Sequence, residues 1–86
     1  EAVLAVLERY SQIGIGHHAL RTRQSGARNF VEVHVLVPGA WTVQKGHELL
    51  EHLEADIRAA VHNVTVLTHL EPLEDPVSQD DIGLDR

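Results

Sequence analysis

Residues 30–37, Phe30-Val31-Glu32-Val33-His34-Val35-Leu36-Val37, alternate without a break. Val31, Val33, Val35 and Val37 fall on one side of an extended chain, and Phe30, Glu32, His34 and Leu36 on the other. β-branched residues at period 2 make a strand with one apolar face. The valine face needs helices to cover it. The opposite face mixes apolar side chains with an acid and an imidazole.

Upstream, Ser25-Gly26-Ala27-Arg28 is a turn signal, and His18 to Gln24 alternates loosely, so the two segments read as a hairpin. Before it, Val3, Val6, Leu7, Tyr10 and Ile13 recur near a helical period over residues 2–13, ending at Gly14 and Gly16. Downstream, Pro38-Gly39 closes the strand and Thr42 is placed to cap a helix. That helix runs to about Val61, with Val43, Leu49, Leu50, Leu53, Ile57, Ala60 and Val61 as its apolar stripe. Asn63 to Leu70 is a third strand. Val64, Val66 and Leu70 share one face, while Thr65, Leu67, His69 and then Glu71 share the other.

The order α-β-β-α-β predicts an α+β fold, a truncated ferredoxin-like domain in two layers: two helices over one face of a three-stranded mixed sheet. We expect the domain to occupy residues 1–72 and residues 73–86 to form an acidic, mobile tail. With no initiating Met, the chain reads as a piece of a longer protein. Phe30, Leu36 and Leu67 on the uncovered face are more apolar than water favours, so a second chain is expected to cover part of it.

Composition narrows the function. The 86 residues contain no Cys, which excludes disulfides, thiolate metal sites and cysteine nucleophiles. A net charge of −6 argues against nucleic acid as the main partner. No apolar run is long enough to span a membrane. No nucleophile elbow or phosphate-binding glycine loop is present, so we do not expect an enzyme. Arg21, Arg23 and Arg28 form a small basic strip that reads as structural.

The excess is in histidine: His17, His18, His34, His47, His52, His62 and His69. Without cysteine, such an excess points to metals bound through nitrogen and oxygen. His34, His69 and Glu71 lie on the face away from the helices, and His18 joins them if it shares the parity of Leu20. Two or three imidazoles with a carboxylate suit a tetrahedral zinc ion, or two neighbouring ions. Each histidine taken singly reads as a half-exposed strand residue; only three on one face with a carboxylate bring the metal site level with that reading. His47-Glu48-Leu49-Leu50-Glu51-His52 is not a metalloprotease motif, because its histidines stand five apart rather than four. His47 and Glu51 are i, i+4 neighbours and read as a solvated ion pair. His52 and His62 read as surface residues, and Trp41 as core packing.

His18 with Leu20-Arg21-Thr22-Arg23-Gln24-Ser25-Gly26, Phe30-Val31-Glu32-Val33-His34, Val43-Gln44, His47, and Val66-Leu67-Thr68-His69-Leu70-Glu71-Pro72 together resemble the C-terminal cytosolic domain of cation diffusion facilitators, a family of zinc/proton antiporters. The likeness covers roughly residues 3–72. It implies a copper-chaperone-like fold and a homodimer on the cytoplasmic side of the membrane. It implies zinc, or cadmium or another divalent transition metal, bound near the subunit interface. By position it implies His18, His34, His47, His69 and Glu71 as the metal-associated residues, with His17 a further candidate. Some members of the family carry Asp where this chain has Glu71. The membrane helices of the same transporter would be the domain's other partner, and transport itself would lie in them. The expected function is a zinc-sensing regulatory domain whose dimer closes on metal. The alternatives are a soluble metal carrier of similar fold, or a dimerisation module indifferent to metal.

Overall fold

The valine strand is the middle of the sheet. In the structure, a computed structural model that describes residues 2–74, the order is α1 (Ala2–Ser11), β1 (Gly16–Ser25), β2 (Arg28–Val37), α2 (Val43–Ala60) and β3 (Val64–Pro72). The strands run β1-β2-β3, with β1 antiparallel and β3 parallel to β2. A parallel neighbour needs a crossover, and α2 supplies it. The chain thus adopts the expected truncated ferredoxin-like α+β layout with a mixed sheet. The acidic residues from Asp75 onward lie outside the described residues.

The core lies between the sheet and the two helices. Val31, Val33, Val35 and Val37 of β2 are buried against Val3, Val6 and Leu7 of α1, Leu53 and Ile57 of α2, and Ile15. Fully burying one such side chain contributes roughly 1.5–3 kcal/mol, so this seam carries most of the fold's stability. Three apolar positions assigned to the helices lie outside it. Ile13 is 70% exposed because α1 stops at Ser11 and Gly14, at φ +89°, turns the chain; Ile15 takes the core position. Val43 is 85% exposed because it opens the first turn of α2, ahead of the stripe; Ala60, at the other end, is also exposed. Trp41 packs against the core with Lys45 Nζ 4.2 Å above its ring.

Local signals set the element ends. Thr42 Oγ1 accepts from Lys45 N at 3.0 Å, capping α2. Asn63, at φ 55°, turns the chain into β3 and donates through Nδ2 to Ala27 O at 2.8 Å. Asn tolerates this left-handed conformation better than most residues. Gly46 is buried because α2 meets β3 there: a Cβ at this position would fall on Leu70 Cδ2. Between the helices, the Tyr10 hydroxyl donates to Asp56 Oδ2 at 2.6 Å. Burial, reinforced by that carboxylate, pushes the Tyr10 phenol up to about 12.

One irregularity controls the far face. In β1, His18 pairs with His34 and Arg21 with Glu32, so Ala19 and Leu20 together stand opposite Val33. This is a β-bulge, with Ala19 at φ 58°. The extra residue reverses the alternation of β1. Leu20 packs into the helix-side core, whereas His18 points to the opposite face with His34. The parity argument linking His18 to Leu20 is therefore overturned, although His18 does reach the predicted face.

The uncovered face is also less apolar than expected. Leu36 is 3% exposed, next to Gly16 and Leu73 of its own chain, and Leu73 N donates to Val37 O at 2.8 Å. Phe30 is half-buried beneath the Arg23 guanidinium, 4.2 Å from the ring centroid. Leu67, at 54%, is the one of the three that is largely open. Cover for this face by a second chain is thus not required by Leu36 or Phe30.

Candidate metal centre

Three strands each deliver one ligand to the same end of the uncovered face. The bulge turns His18 out of β1, the valine alternation turns His34 out of β2, and the parity of β3 presents Glu71. Register aligns them: His18 stands opposite His34, and His34 opposite His69. The ring centroids of His18 and His34 are 5.0 Å apart, those of His34 and His69 4.6 Å.

Glu71 holds two of these rings at once. Its Oε1 is 3.1 Å from His18 Nε2 and its Oε2 is 2.6 Å from His34 Nδ1. A carboxylate shared by two imidazoles marks where a cation would gain from all three. The ligand atoms of His18, His34 and Glu71 lie within 4.8 Å of one another. Two nitrogens and one carboxylate oxygen are a set that zinc and neighbouring divalent metals accept, with a coordination position left open. His18 is 7% exposed, and its Nδ1 is buried without a hydrogen-bond partner. Such an atom costs free energy unless something pairs with it; the fit to a metal ion rests on the donor set, two imidazoles and a carboxylate whose ligand atoms converge.

Beside this triad lies a second one. His69 Nε2 is 2.9 Å from Glu32 Oε2, and the ligand atoms of Glu32, His34 and His69 again lie within 4.8 Å of one another. Sequence reasoning did not single out Glu32. The signal was present, since Glu32 is two residues before His34 on the same strand face. His69 is held by Glu32 rather than by Glu71, a pairing that only inter-strand register could reveal.

The remaining candidates lie elsewhere. His17 pairs across to Val35 and so projects to the helix side, away from His18. Burial, with a smaller contribution from His18, lowers the His17 pKa against the opposing pull of Glu8. His47 is in α2 and rests 3.3 Å from Glu51, both 67% exposed. It belongs to neither triad within this chain. His52 and His62 are exposed, and among the described residues neither has a place in a ligand group.

Comparison with known proteins bears on the fold and the family. Residues 1–73 match the family model described as cation efflux protein, cytoplasmic domain. The chain is 47% identical over 78 residues to an uncharacterized transporter, sll1263, of Synechocystis sp., covering 91% of this chain and 25% of that protein. It is 31% identical over 72 residues to the cation-efflux pump FieF of Serratia proteamaculans, covering 84% and 24%. The chain thus spans about a quarter of the length of these relatives. Among solved structures, the metal-bound C-terminal domain of the CzcD transporter from Thermotoga maritima superposes with a TM-score of 0.77 at 28% identity, over 87% of each chain. The Zn form of CzrB gives 0.74 at 31% identity, over 81% of this chain and 80% of that one. Matching in sequence over nearly all its described residues and in fold to these transporter domains, the chain belongs to the cytoplasmic-domain family of cation efflux proteins, the cation diffusion facilitators.

Proposed function

We propose that this domain is the cytosolic metal sensor of a divalent-cation efflux transporter, and that zinc is the ion it reads. The observation that carries the proposal is the convergence of His18, His34 and Glu71 on one sheet face. A relative studied in a Zn form and another in a metal-bound form support the choice of metal.

In this reading the domain works as a homodimer on the cytoplasmic side of the membrane. Without metal, two acid-and-imidazole faces hold the copies apart. Zinc bound near the interface links them, because it binds the closed pair more tightly than the open one; only such a difference in affinity shifts a population. The exposed imidazole of His47, on α2 beside Glu51, is the group that would complete an ion held from a second copy. Closure then passes to the membrane helices and adjusts zinc/proton antiport to cytosolic zinc.

Small-angle scattering with chelator and then stepwise zinc, beside calorimetry, tests this. A dimer that contracts as zinc binds is the expected result. Zinc binding without a change of dimensions would refute the closure, and absence of binding would refute the sensor.

A further inference from the structure

The end of the fold away from the histidine cluster is basic. Residues 21–31 carry Arg21, Arg23 and Arg28, residues 57–66 carry Arg58 and His62, and neither stretch holds an Asp or a Glu. The topology joins the two stretches. Asn29 of β2 pairs with Val64 at the start of β3, Arg28 Nη1 donates to Asn63 Oδ1 at 3.0 Å, and Asn29 Nδ2 donates to His62 O at 2.8 Å. Arg23, Arg28 and Arg58 are all exposed. The Arg23 guanidinium lies over the Phe30 ring at 4.2 Å, a stacking that leaves its N–H edges directed outward. Two carboxylates border the patch: Glu32 stands opposite Arg21 in register, and Glu54 is 3.8 Å from Arg58, beyond hydrogen-bonding distance. At the other end of the strands and of α2 lie Glu48, Glu51, Glu71 and Glu74. Charge is thus divided along the length of the domain. The start of α1 belongs to the basic end, since Ala2 and Val3 line a cavity of about 480 Å³ with Arg23, Asn29, Val61 and His62.

We propose that Arg23, Arg28 and Arg58 form a docking rim for the anionic phosphate headgroups of the cytoplasmic leaflet, which holds the domain in one orientation beneath the membrane. The inference rests on the reading of the domain as the C-terminal part of an efflux transporter, in which the chain passes from the membrane helices into α1. The end carrying Ala2 is then the end nearest the bilayer. A guanidinium offers paired N–H donors that match a phosphate. An anionic leaflet strengthens binding roughly fivefold for each arginine near its surface, so three acting together supply about 100-fold. A net charge of −6 repels the chain as a whole from such a surface, so the contact depends on presenting the basic end. Attachment through α1 does that, and it keeps the headgroups at a high effective concentration, so a rim too weak to hold a detached chain suffices. Repulsion of the acidic end from the same leaflet turns the domain in the same sense.

The chain has no cysteine of its own, so a single Cys added before Glu1 couples it to a maleimide lipid and reproduces attachment through α1. The vesicles are phosphatidylcholine alone or phosphatidylcholine mixed with phosphatidylglycerol, with chelator present throughout so that metal plays no part. Hydrogen exchange read by mass spectrometry compares residues 22–31, at the rim, with residues 38–44, at the far end. On the anionic vesicles exchange in 22–31 is expected to slow by about 5–10-fold, with 38–44 unchanged. The slowing should vanish at about 1 M salt, where the screening length is about 3 Å. Replacing Arg23, Arg28 and Arg58 together by Gln should abolish it, and replacing them by Lys should keep most of it. The salt comparison needs no variant and holds even if the Gln chain fails to fold. Equal exchange on the two kinds of vesicle would overturn the rim. So would slowing produced by inorganic phosphate on phosphatidylcholine alone, which would mark a site for a free anion. Slowing on phosphatidylcholine that disappears when residues 75–86 are removed would assign the rim to the chain's own acidic end and overturn it too. Zinc titration of the same chain decides the sensor separately, so either reading can fall with the other standing.

Discussion

Replacing His18 by leucine separates the cost of the candidate site from its use. In the metal-free chain the His18 ring makes one hydrogen bond, its Nε2 donating to the Glu71 carboxylate at 3.1 Å, and its buried Nδ1 has no partner among the described residues. Losing the bond costs about 0.5–1.5 kcal/mol net, whereas removing an unsatisfied buried nitrogen returns about 1–3 kcal/mol. Leucine has a similar volume and suits a site that is 7% exposed, and volume-conserving changes disturb packing least. The metal-free variant is therefore expected to lie between about 0.5 kcal/mol below and about 2.5 kcal/mol above wild type in stability. With zinc the order reverses. At zinc 100-fold above its Kd, the wild-type chain gains about 2.7 kcal/mol. In a domain this small that raises the melting midpoint by roughly 10–20 °C. A 100-fold loss of affinity at the same zinc level leaves RT ln 2, about 0.4 kcal/mol, a rise of roughly 2–3 °C. Thermal denaturation with chelator and with zinc reads both numbers on one sample. A metal-free variant destabilised by more than about 2 kcal/mol would show that His18 is a structural histidine. An undiminished zinc shift would show that it is no ligand.

Three further expectations concern the frame that holds the site. Tyr10 is the chain's one tyrosine, so its phenolate absorbance near the ultraviolet edge should titrate at about 12 rather than at 10.0. The folded state keeps that proton while the unfolded chain releases it near 10.0, so the contribution is intact below 10.0 and lost as pH rises towards 12; Tyr10→Phe should flatten this alkaline limb. His17 acts in the opposite sense. Its folded pKa is lowered from 6.5, so the unfolded chain binds more protons and stability should fall as pH drops below 6.5. Denaturant midpoints across that range, with His17→Leu removing the slope, check it. At the bulge, Ala19 sits at φ 58°. Ala19→Gly should relieve about 1–2 kcal/mol of left-handed strain and give back about 0.4–1 kcal/mol in unfolded-state entropy, a net gain near 0.5–1 kcal/mol. Deleting Ala19 should instead turn His18 to the helix side and abolish tight metal binding in calorimetry.

The residues whose roles were legible from local pattern are those whose environment is local. The alternation of Val31 to Val37 specifies which side of β2 meets the helices, and with it the side on which His34 stands. The same rule places His69 and Glu71 on one face of β3, and Thr42 marks the start of α2 through a hydrogen bond three residues long. Periodicity cannot see a residue that breaks it. His18 reaches the metal face because two residues of β1 oppose one of β2, and the parity inherited from Leu20 would have put it in the core. Nor can it see which neighbour a side chain meets across strands. Glu32 finds His69 through the parallel register of β2 and β3, and Leu36 is sheltered by Gly16 and Leu73 from positions 20 and 37 residues away. The sequence by itself determined the elements, their order and the facing of all but one candidate ligand, because strand parity and helix caps depend on neighbours a few residues apart. Register, the bulge and the division into two triads were decided by the tertiary structure, because each depends on how separate strands lie against one another.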